Sequence, residues 1–376
     1  VSDSSLTPDI FARLRETAGI ALDEQSRFSD LTTLHLGGKP RLTVQCESTA
    51  AAVSAVTALD AANIALLIVG GGSNLVVADG QLDLVAVVMA QDALEIDLDT
   101  GLVCAGAGVV WDEVVAATVA AGLGGIECLS GIPGSTGATP VQNVGAYGAE
   151  ISDVLTRVRL LDRSTGAVEW VAASELDLGY RHSNLKFTSR GVVLEVELQL
   201  NVDGLSAPLR FGELARGLGA SEPSQRWPVA DVREQVLKLR RGKGMVVDPA
   251  DHDTWSAGSF FTNPVVDDAL ADSVREQVRA IRGESDAERM PRFPAGQGTS
   301  KLSAAWLIDR AGFDKGFPNE SAPARLSTKH TLALTNRGTA QTADLVDLAR
   351  TVRDGVREKF GVTLVPEPVW VGVSID

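Results

Sequence analysis

Between Leu129 and Ala149 the chain reads LSGIPGSTGATPVQNVGAYGA, twenty-one residues without a charge. Glycines at 131, 134, 137, 145 and 148 and prolines at 133 and 140 rule out a helix or a regular strand. The stretch is also too apolar for a disordered linker. A long structureless segment inside a folded chain is usually functional. Its chemistry is that of a ligand cradle. Glycine permits positive φ and close backbone approach, while bare N–H groups and neutral side chains (Ser135, Thr136, Thr139, Gln142, Asn143) supply hydrogen bonds. The plain alternative is an irregular connection. A second glycine cluster, GGGSN at Gly70–Asn74, follows the apolar run ALLIVG.

Four further segments hold reactive or charged side chains. KLRRGKG places Lys238, Arg240, Arg241 and Lys243 within six residues, either as a solvated helix face or as a small diphosphate site. Gly242 and Gly244 favour a loop that folds over a phosphate. LGYRHSNLKF sets Tyr180 and Arg181 beside His182 and Ser183, and AGSFFTNP sets Ser259 and Asn263 around two phenylalanines. LVPEPVW clamps Glu367 between prolines. Glycine before Ser259 and proline on both sides of Glu367 fix the backbone, which suits oriented side chains. Each also has an ordinary structural reading: a salt-bridge arginine, a turn serine, a surface carboxylate.

Several chemistries drop out. There is no HExxH and no CxxC, and the four histidines (His35, His182, His252, His330) are not spaced as a metal pair, so no metal is expected. Ser259 is not in GxSxG. GGGSN is followed by LVVADGQLDLVAVVM, which is strand material with a DG turn, so neither a Rossmann fingerprint nor a P-loop fits. Gly106-Ala-Gly108 has Trp111 where a third glycine would fall and reads as ordinary strand-to-helix turn chemistry.

The elements that would position these residues emerge from periodicity. Residues 49–62 and 111–121 read as helices, 154–199 as antiparallel strands, and 232–240, 268–282, 303–311 and 343–360 as helices, with Gly312 closing the third. The turn-rich stretch 200–225 sets the main domain boundary there. With 376 residues there is room for two or three cores. A net charge of −15 argues against nucleic-acid binding, and no apolar run approaches a membrane span. Three widely spaced cysteines make no disulfide framework, and a reducing cytosol is the expected location. No basic and apolar leader opens the sequence.

Taken in order, TTLHLGG from Thr32, GGGSN, the 131–148 loop, YRHS, GSFF, KLSAAWLID and LVPEPVW resemble the UDP-N-acetylenolpyruvoylglucosamine reductases, of the longer-loop type. The resemblance implies an α+β chain: a two-lobed FAD-binding domain of the vanillyl-alcohol-oxidase type, then an α+β substrate-binding domain. The domains would be 1–202 (lobes about 1–89 and 90–202, with the C-terminal tail packing back) and 203–376.

It implies that Gly70, Gly71, Gly72, Ser73, Asn74 and Leu75 meet the FAD pyrophosphate, largely through backbone N–H groups. Pro133, Gly134, Ser135, Gly137, Ala138, Gln142, Asn143, Gly145 and Ala146 would embrace FAD, including its flavin end. NADPH would be the co-substrate and the nucleotide sugar the substrate, in peptidoglycan synthesis, with no nucleic-acid or membrane partner and a monomeric chain. Arg181 and Glu367 would stabilise the enediolate that develops on the substrate carboxylate. Glu367 must be protonated to donate there, and Ser259 would give the proton to C2. Tyr180, Lys243 and Asn263 would hold substrate, and the 238–243 run would gain its diphosphate role. Phe211 in RFGEL stands where longer-loop members carry a tyrosine, so that hydroxyl is missing. His35 is also atypical and receives no role.

Two other readings stay open: a flavin-dependent alcohol or sugar oxidase of the same fold, and a nucleotide-sugar-binding protein without catalysis. No histidine lies in either glycine segment, so FAD is expected to be dissociable. Acid precipitation should leave the yellow colour in the supernatant; a yellow pellet would contradict this.

Overall fold

Parallel strands with small residues between them need a covering helix that can come close, and the N-terminal part of the chain supplies one. In a computed structural model describing residues 7–210, 212–222 and 224–376, the helix Thr49–Ala61 is capped by Ser48, whose hydroxyl oxygen accepts the Ala51 N–H at 3.2 Å. It buries Ala51, Ala52, Ala55, Val56 and Leu59. The first sheet has the order Ile20–Asp23, Leu42–Cys46, Val85–Met89, Leu66–Val69. Its last three strands are parallel, with Leu42 and Leu66 both in register with Val85.

The second sheet is antiparallel: Val168–Ala172, Leu155–Asp162, Gly191–Gln199, Leu102–Gly106, Leu94–Ile96. One face is apolar through Val158, Leu160, Val196 and Leu198. Polar pairs such as Arg157–Glu197 at 2.7 Å line other positions. Against it lie the helices Trp111–Ala120 and Val229–Gly242, which share one core through Trp111, Val114, Val115, Val229, Val232 and Val236. Burying each such valine is worth about 1.5 kcal/mol.

That packing moves the expected boundary. The chain divides into two compact units, the first made of residues up to Arg27, Lys39–Gly72 and Gln81–Val246. Residues 203–246 therefore belong with the first unit, not with the second as a boundary at 202/203 requires, because three inward valines of Val229–Gly242 complete its core. The same helix bears out the helical reading of 232–240 and extends through Gly242, where a loop over a phosphate was the alternative. Lys238, Arg240 and Arg241 are helical, Lys243 is the C-cap, and only Gly244 (φ 65°) turns away.

The second unit comprises Phe28–Gly38, Ser73–Gly80 and Val247–Asp376. Its helices are Asp268–Arg282, Ala304–Ala311 and Thr342–Phe360, with shorter Phe28–Leu31 and Glu284–Glu288. Ser303 caps Ala304–Ala311 and left-handed Gly312 (φ 101°) ends it. Thr342–Phe360 is anchored by Thr342, whose hydroxyl donates to the Val77 carbonyl at 2.7 Å. The strand Leu75–Val77 does not return beside Val85–Met89. It pairs in parallel with Val369–Val371, so the C-terminal tail closes this unit. Leu34, Leu36 and Val76 join Phe260, Phe261, Leu307, Val352 and Phe360 in its core. A Cβ at Gly38 would stand 1.9 Å from the Gly80 carbonyl oxygen, so glycine is required there.

Asp112 ties the first unit's helices to the uncharged loop. One carboxylate oxygen accepts the Gly131 N–H at 2.6 Å and an Arg233 N–H at 2.6 Å; the other accepts Arg233 at 2.9 Å. Asp112→Ala orphans a half-buried guanidinium and a loop N–H, a cost of about 1–3 kcal/mol. The melting temperature of the flavin-free protein should fall by several degrees; an unchanged value would refute this anchoring role.

Candidate active site

In the first unit, Gly70–Gly72 leave the carboxyl end of the parallel strand Leu66–Val69, the end at which ligands settle in open α/β sheets. A Cβ on Gly70 would lie 2.0 Å from the Ser135 hydroxyl oxygen, and one on Gly71 would lie 2.7 Å from the Gly134 Cα. The two glycine segments found in the sequence thus press backbone against backbone. The N–H groups of Gly71, Gly72 and Gly134 donate to no backbone carbonyl among the described residues. Clustered N–H groups of this kind are what anion nests are built from.

The uncharged loop is laced to the start of the helix Trp111–Ala120. Trp111 N–H donates to the Gly134 carbonyl at 3.0 Å, Thr136 N–H to Val109 at 2.8 Å, and Gly137 N–H to Ala107 at 2.9 Å. Trp111 Nε1 donates to the Leu129 carbonyl at 3.2 Å. The later part of the loop is held by Asn143, which has positive φ and is buried. Its Nδ2 donates to Glu150 and to the Gly179 carbonyl, both at 2.9 Å, and its Oδ1 accepts the Ser152 N–H at 3.1 Å. These protein contacts give the Asn143 side chain a loop-building role of its own.

Arg181 meets this loop directly. It sits in a tight turn where Gly179 and His182 exchange backbone hydrogen bonds at 3.1 Å, and its φ is 54°. Its Nη2 donates to the Gly145 carbonyl at 2.7 Å, and its guanidinium lies 5.3 Å from the centre of the exposed Tyr180 ring. Ser183 donates to the Val141 carbonyl. The turn and the loop are therefore one assembly. Nearby, Lys243 pairs with Glu213 at 2.7 Å and stands 6.0 Å from the centre of the Tyr147 ring. Burial pushes the Tyr147 phenol up and the Arg240 guanidinium down to about 10. Arg240 Nη2 donates to the Met245 carbonyl at 2.7 Å, while its buried Nε has no partner among the described residues.

The second unit gathers Ser259, Glu367 and Asn74. Gly258 turns the chain at φ 71°, after which Phe260 N–H donates to Leu332 at 2.8 Å. Glu367 N–H donates to the Phe260 carbonyl at 2.9 Å and Thr262 N–H to Val365 at 3.0 Å. Ser259 and Glu367 thus sit on neighbouring backbones, both partly buried. Asn74 Nδ2 donates to the Glu367 carbonyl at 3.4 Å, and Val369 N–H to the Asn74 carbonyl at 2.9 Å. Ser73 and Leu75 fall in this unit too, whereas Gly70–Gly72 fall in the first. Asn263 accepts the Ala304 N–H at 3.0 Å, at the start of the helix Ala304–Ala311. Phe211 lies outside the described residues. Sequence reasoning missed Asp112, whose only signal was an acidic residue in a first helical turn.

Other chemistries find little support here. Cys46 and Cys128 are buried, which pushes both thiols up to about 12. Among the described residues no group of three or more His, Cys, Asp or Glu side chains could hold a metal ion, and no helix is long and apolar enough to cross a membrane.

The FAD binding domain family matches residues 40–172, and the family described as UDP-N-acetylenolpyruvoylglucosamine reductase, C-terminal domain, matches 248–371. UDP-N-acetylenolpyruvoylglucosamine reductase 2 of Corynebacterium glutamicum is 66% identical over 376 residues, covering 100% of both chains. The Nocardia farcinica reductase is 57% identical, covering 100% of this chain and 96% of its own. The chain belongs to the UDP-N-acetylenolpyruvoylglucosamine reductase family. The solved reductase of Thermus caldophilus shares its fold, with a TM-score of 0.62 at 24% identity over 94% of this chain and 98% of that one.

Membership makes this reductase an FAD-dependent oxidoreductase of peptidoglycan synthesis, and the α+β fold with its two-lobed FAD-binding domain is the family's. The cradle fits that cofactor: N–H groups without backbone acceptors stand in glycine turns, Gly71 where a Cβ would strike the Gly134 backbone and Gly72 and Gly134 at positive φ. Gly71→Ala would drive a methyl group into the Gly134 backbone and part the two segments. FAD affinity, followed by the quenching of flavin fluorescence, should fall at least about tenfold; an unchanged dissociation constant would disprove the role of this close approach.

Proposed function

We propose that this reductase converts UDP-N-acetylenolpyruvoylglucosamine to UDP-N-acetylmuramate at the expense of NADPH. FAD held by Gly70–Gly72, Gly134 and the rest of the uncharged loop would supply the hydride chemistry that links NADPH to C3 of the enolpyruvyl ether. The chain's own groups manage the resulting charge and the incoming proton. Arg181 holds the substrate carboxylate, fixed in position by its bond to the Gly145 carbonyl. Glu367, protonated, donates to the oxygen on which negative charge develops. Ser259 gives its hydroxyl proton to C2. A serine is a weak acid in water, but the carbanionic carbon is far more basic, so the transfer runs downhill. Tyr180, Lys243 and Asn263 hold the nucleotide sugar. Gly70–Gly72 and Gly134 offer N–H groups to the FAD pyrophosphate, and Pro133, Ser135, Gly137, Ala138, Gln142, Asn143, Gly145 and Ala146 form the rest of the cradle, with FAD held non-covalently.

The observation that carries this reading is the Glu367 N–H···Phe260 carbonyl bond at 2.9 Å. It fixes the proposed acid and the proposed carboxyl donor on one backbone ladder, next to a glycine whose positive φ sets the serine's direction. Ser259→Ala should leave reduction of the flavin by NADPH unchanged while oxidation of the reduced enzyme by the enolpyruvyl sugar slows by about a hundredfold or more. Anaerobic stopped-flow absorbance at the flavin band separates the two half-reactions, and equal losses in both would reject Ser259 as the acid. Bleaching of the wild-type enzyme by an alcohol followed by rapid recolouring in air, with no recolouring of the reduced enzyme by the enolpyruvyl sugar, would favour an oxidase instead.

A further inference from the structure

The turn that carries Tyr180 and Arg181 is braced by a cation to which the reading above gives no task. Five residues after Arg181, Lys186 bends back so that its ammonium donates to the Arg181 carbonyl at 3.0 Å, and both residues are half-buried. Its Nζ also stands 4.8 Å from the centre of the Phe187 ring, which is itself exposed. An aromatic ring at that range attracts an ammonium and shields it from water.

The carbonyl that Lys186 grips belongs to a residue in an unfavourable conformation. Arg181 has φ 54°, a region that residues other than glycine seldom occupy, and relaxing to negative φ would swing both its carbonyl and its side chain. The reciprocal bonds at 3.1 Å between Gly179 and His182 engage the ends of the turn, not its two central residues. Lys186 engages the second of those. A charge-assisted hydrogen bond is roughly twice as strong as a neutral one, which suits it to holding a residue against its backbone preference.

Other bonds tie the same segment to the uncharged loop. Asn143 Nδ2 donates to the Gly179 carbonyl at 2.9 Å, Arg181 Nη2 to the Gly145 carbonyl at 2.7 Å, and the Ser183 hydroxyl to the Val141 carbonyl. None of these three involves Lys186. Its bond lies within the segment and acts on the backbone of Arg181 alone.

We infer that Lys186 is a positioning residue for Arg181. By holding the Arg181 carbonyl it keeps that residue left-handed, so that the guanidinium, steadied at one N–H by Gly145, keeps its remaining donors aimed at the substrate carboxylate. The inference rests on the role proposed for Arg181 and adds a second residue that works through it.

The test is a double-mutant cycle on the FAD-loaded enzyme. Reduced protein is mixed anaerobically with the enolpyruvyl sugar, and return of the flavin band is followed in wild type, K186M, K186R, R181A and K186M/R181A. K186M should slow the reaction about tenfold in wild type but less than about twofold in R181A, because residues acting through one contact are not additive. K186R keeps a cationic donor and should stay within about threefold of wild type. FAD affinity and the melting temperature of the flavin-free protein should be unchanged in K186M, since the three bonds to the loop persist. Should K186M not fold, K186Q, which removes the charge but keeps a polar tip, repeats the cycle. Equal slowing of wild type and R181A would overturn the inference, as would a K186M rate equal to wild type or a K186R rate as low as that of K186M. A tenfold loss of FAD affinity in K186M would make Lys186 a structural residue and overturn it too. R181A as fast as wild type would instead bring down the role of Arg181 itself.

Discussion

The molecule turns on a contact that side chains cannot make: backbone packed on backbone where Gly71 meets Gly134 and where Gly108 meets Ala90. In each case a single added methyl carbon would fall within 2.7 Å of a neighbouring atom. Among the described residues the N–H groups of Gly71, Gly72 and Gly134 are left without a backbone acceptor. The arrangement bears on an electrostatic problem as well. A protein of net charge −15 must hold a pyrophosphate. In the proposed site the N–H dipoles of the glycine turns would do this at short range, where the acidic surface beyond contributes little through salt-screened water.

Holding that backbone in place is the work of conventional forces. Trp111, Asp112 and Thr136 pin the loop to one helix, and the valines of Val229–Gly242 pin that helix to the second sheet. Arg181 then serves two ends. Its bond to the Gly145 carbonyl steadies the loop, and its turn carries the exposed Tyr180. Because the Gly179–His182 turn is closed by reciprocal bonds at 3.1 Å, the positive φ of Arg181 is held by its surroundings, not relaxed.

Much of this was legible in the sequence, for identifiable reasons. Helices with regular apolar spacing, such as 268–282, appear as Asp268–Arg282. The antiparallel strands after Val154 carry an alternation that only a half-buried sheet explains. Glycine clusters announced the cradle because nothing else tolerates such backbone proximity. Pairing over long separations was not legible. LVVADGQLDLVAVVM reads as one β region, yet its first strand pairs with Val369–Val371, some three hundred residues on. Nor could composition locate the break between units, since turns and prolines at 200–225 lie inside the first one.

The discontinuity of the second unit has a physical consequence for how the Glu367 backbone is held. The segment 248–371 that matches the family's C-terminal domain leaves out Leu34, Leu36 and Val76, all buried in that unit's core. It also leaves out Leu75–Val77, without which the strand after Glu367 has no partner. An edge strand of three residues has little stability by itself. The Asn74 carboxamide on the Glu367 carbonyl, and the Asn74 carbonyl on the Val369 N–H, convert that strand into a fixed support. GGGSN is thus one pentapeptide with two duties: Gly72 ends a segment of the unit that carries the uncharged loop, and Ser73 begins a segment of the unit that carries Glu367. Asparagine is suited to the second duty because its amide donates while its carbonyl accepts, and Leu75 then starts the pairing strand.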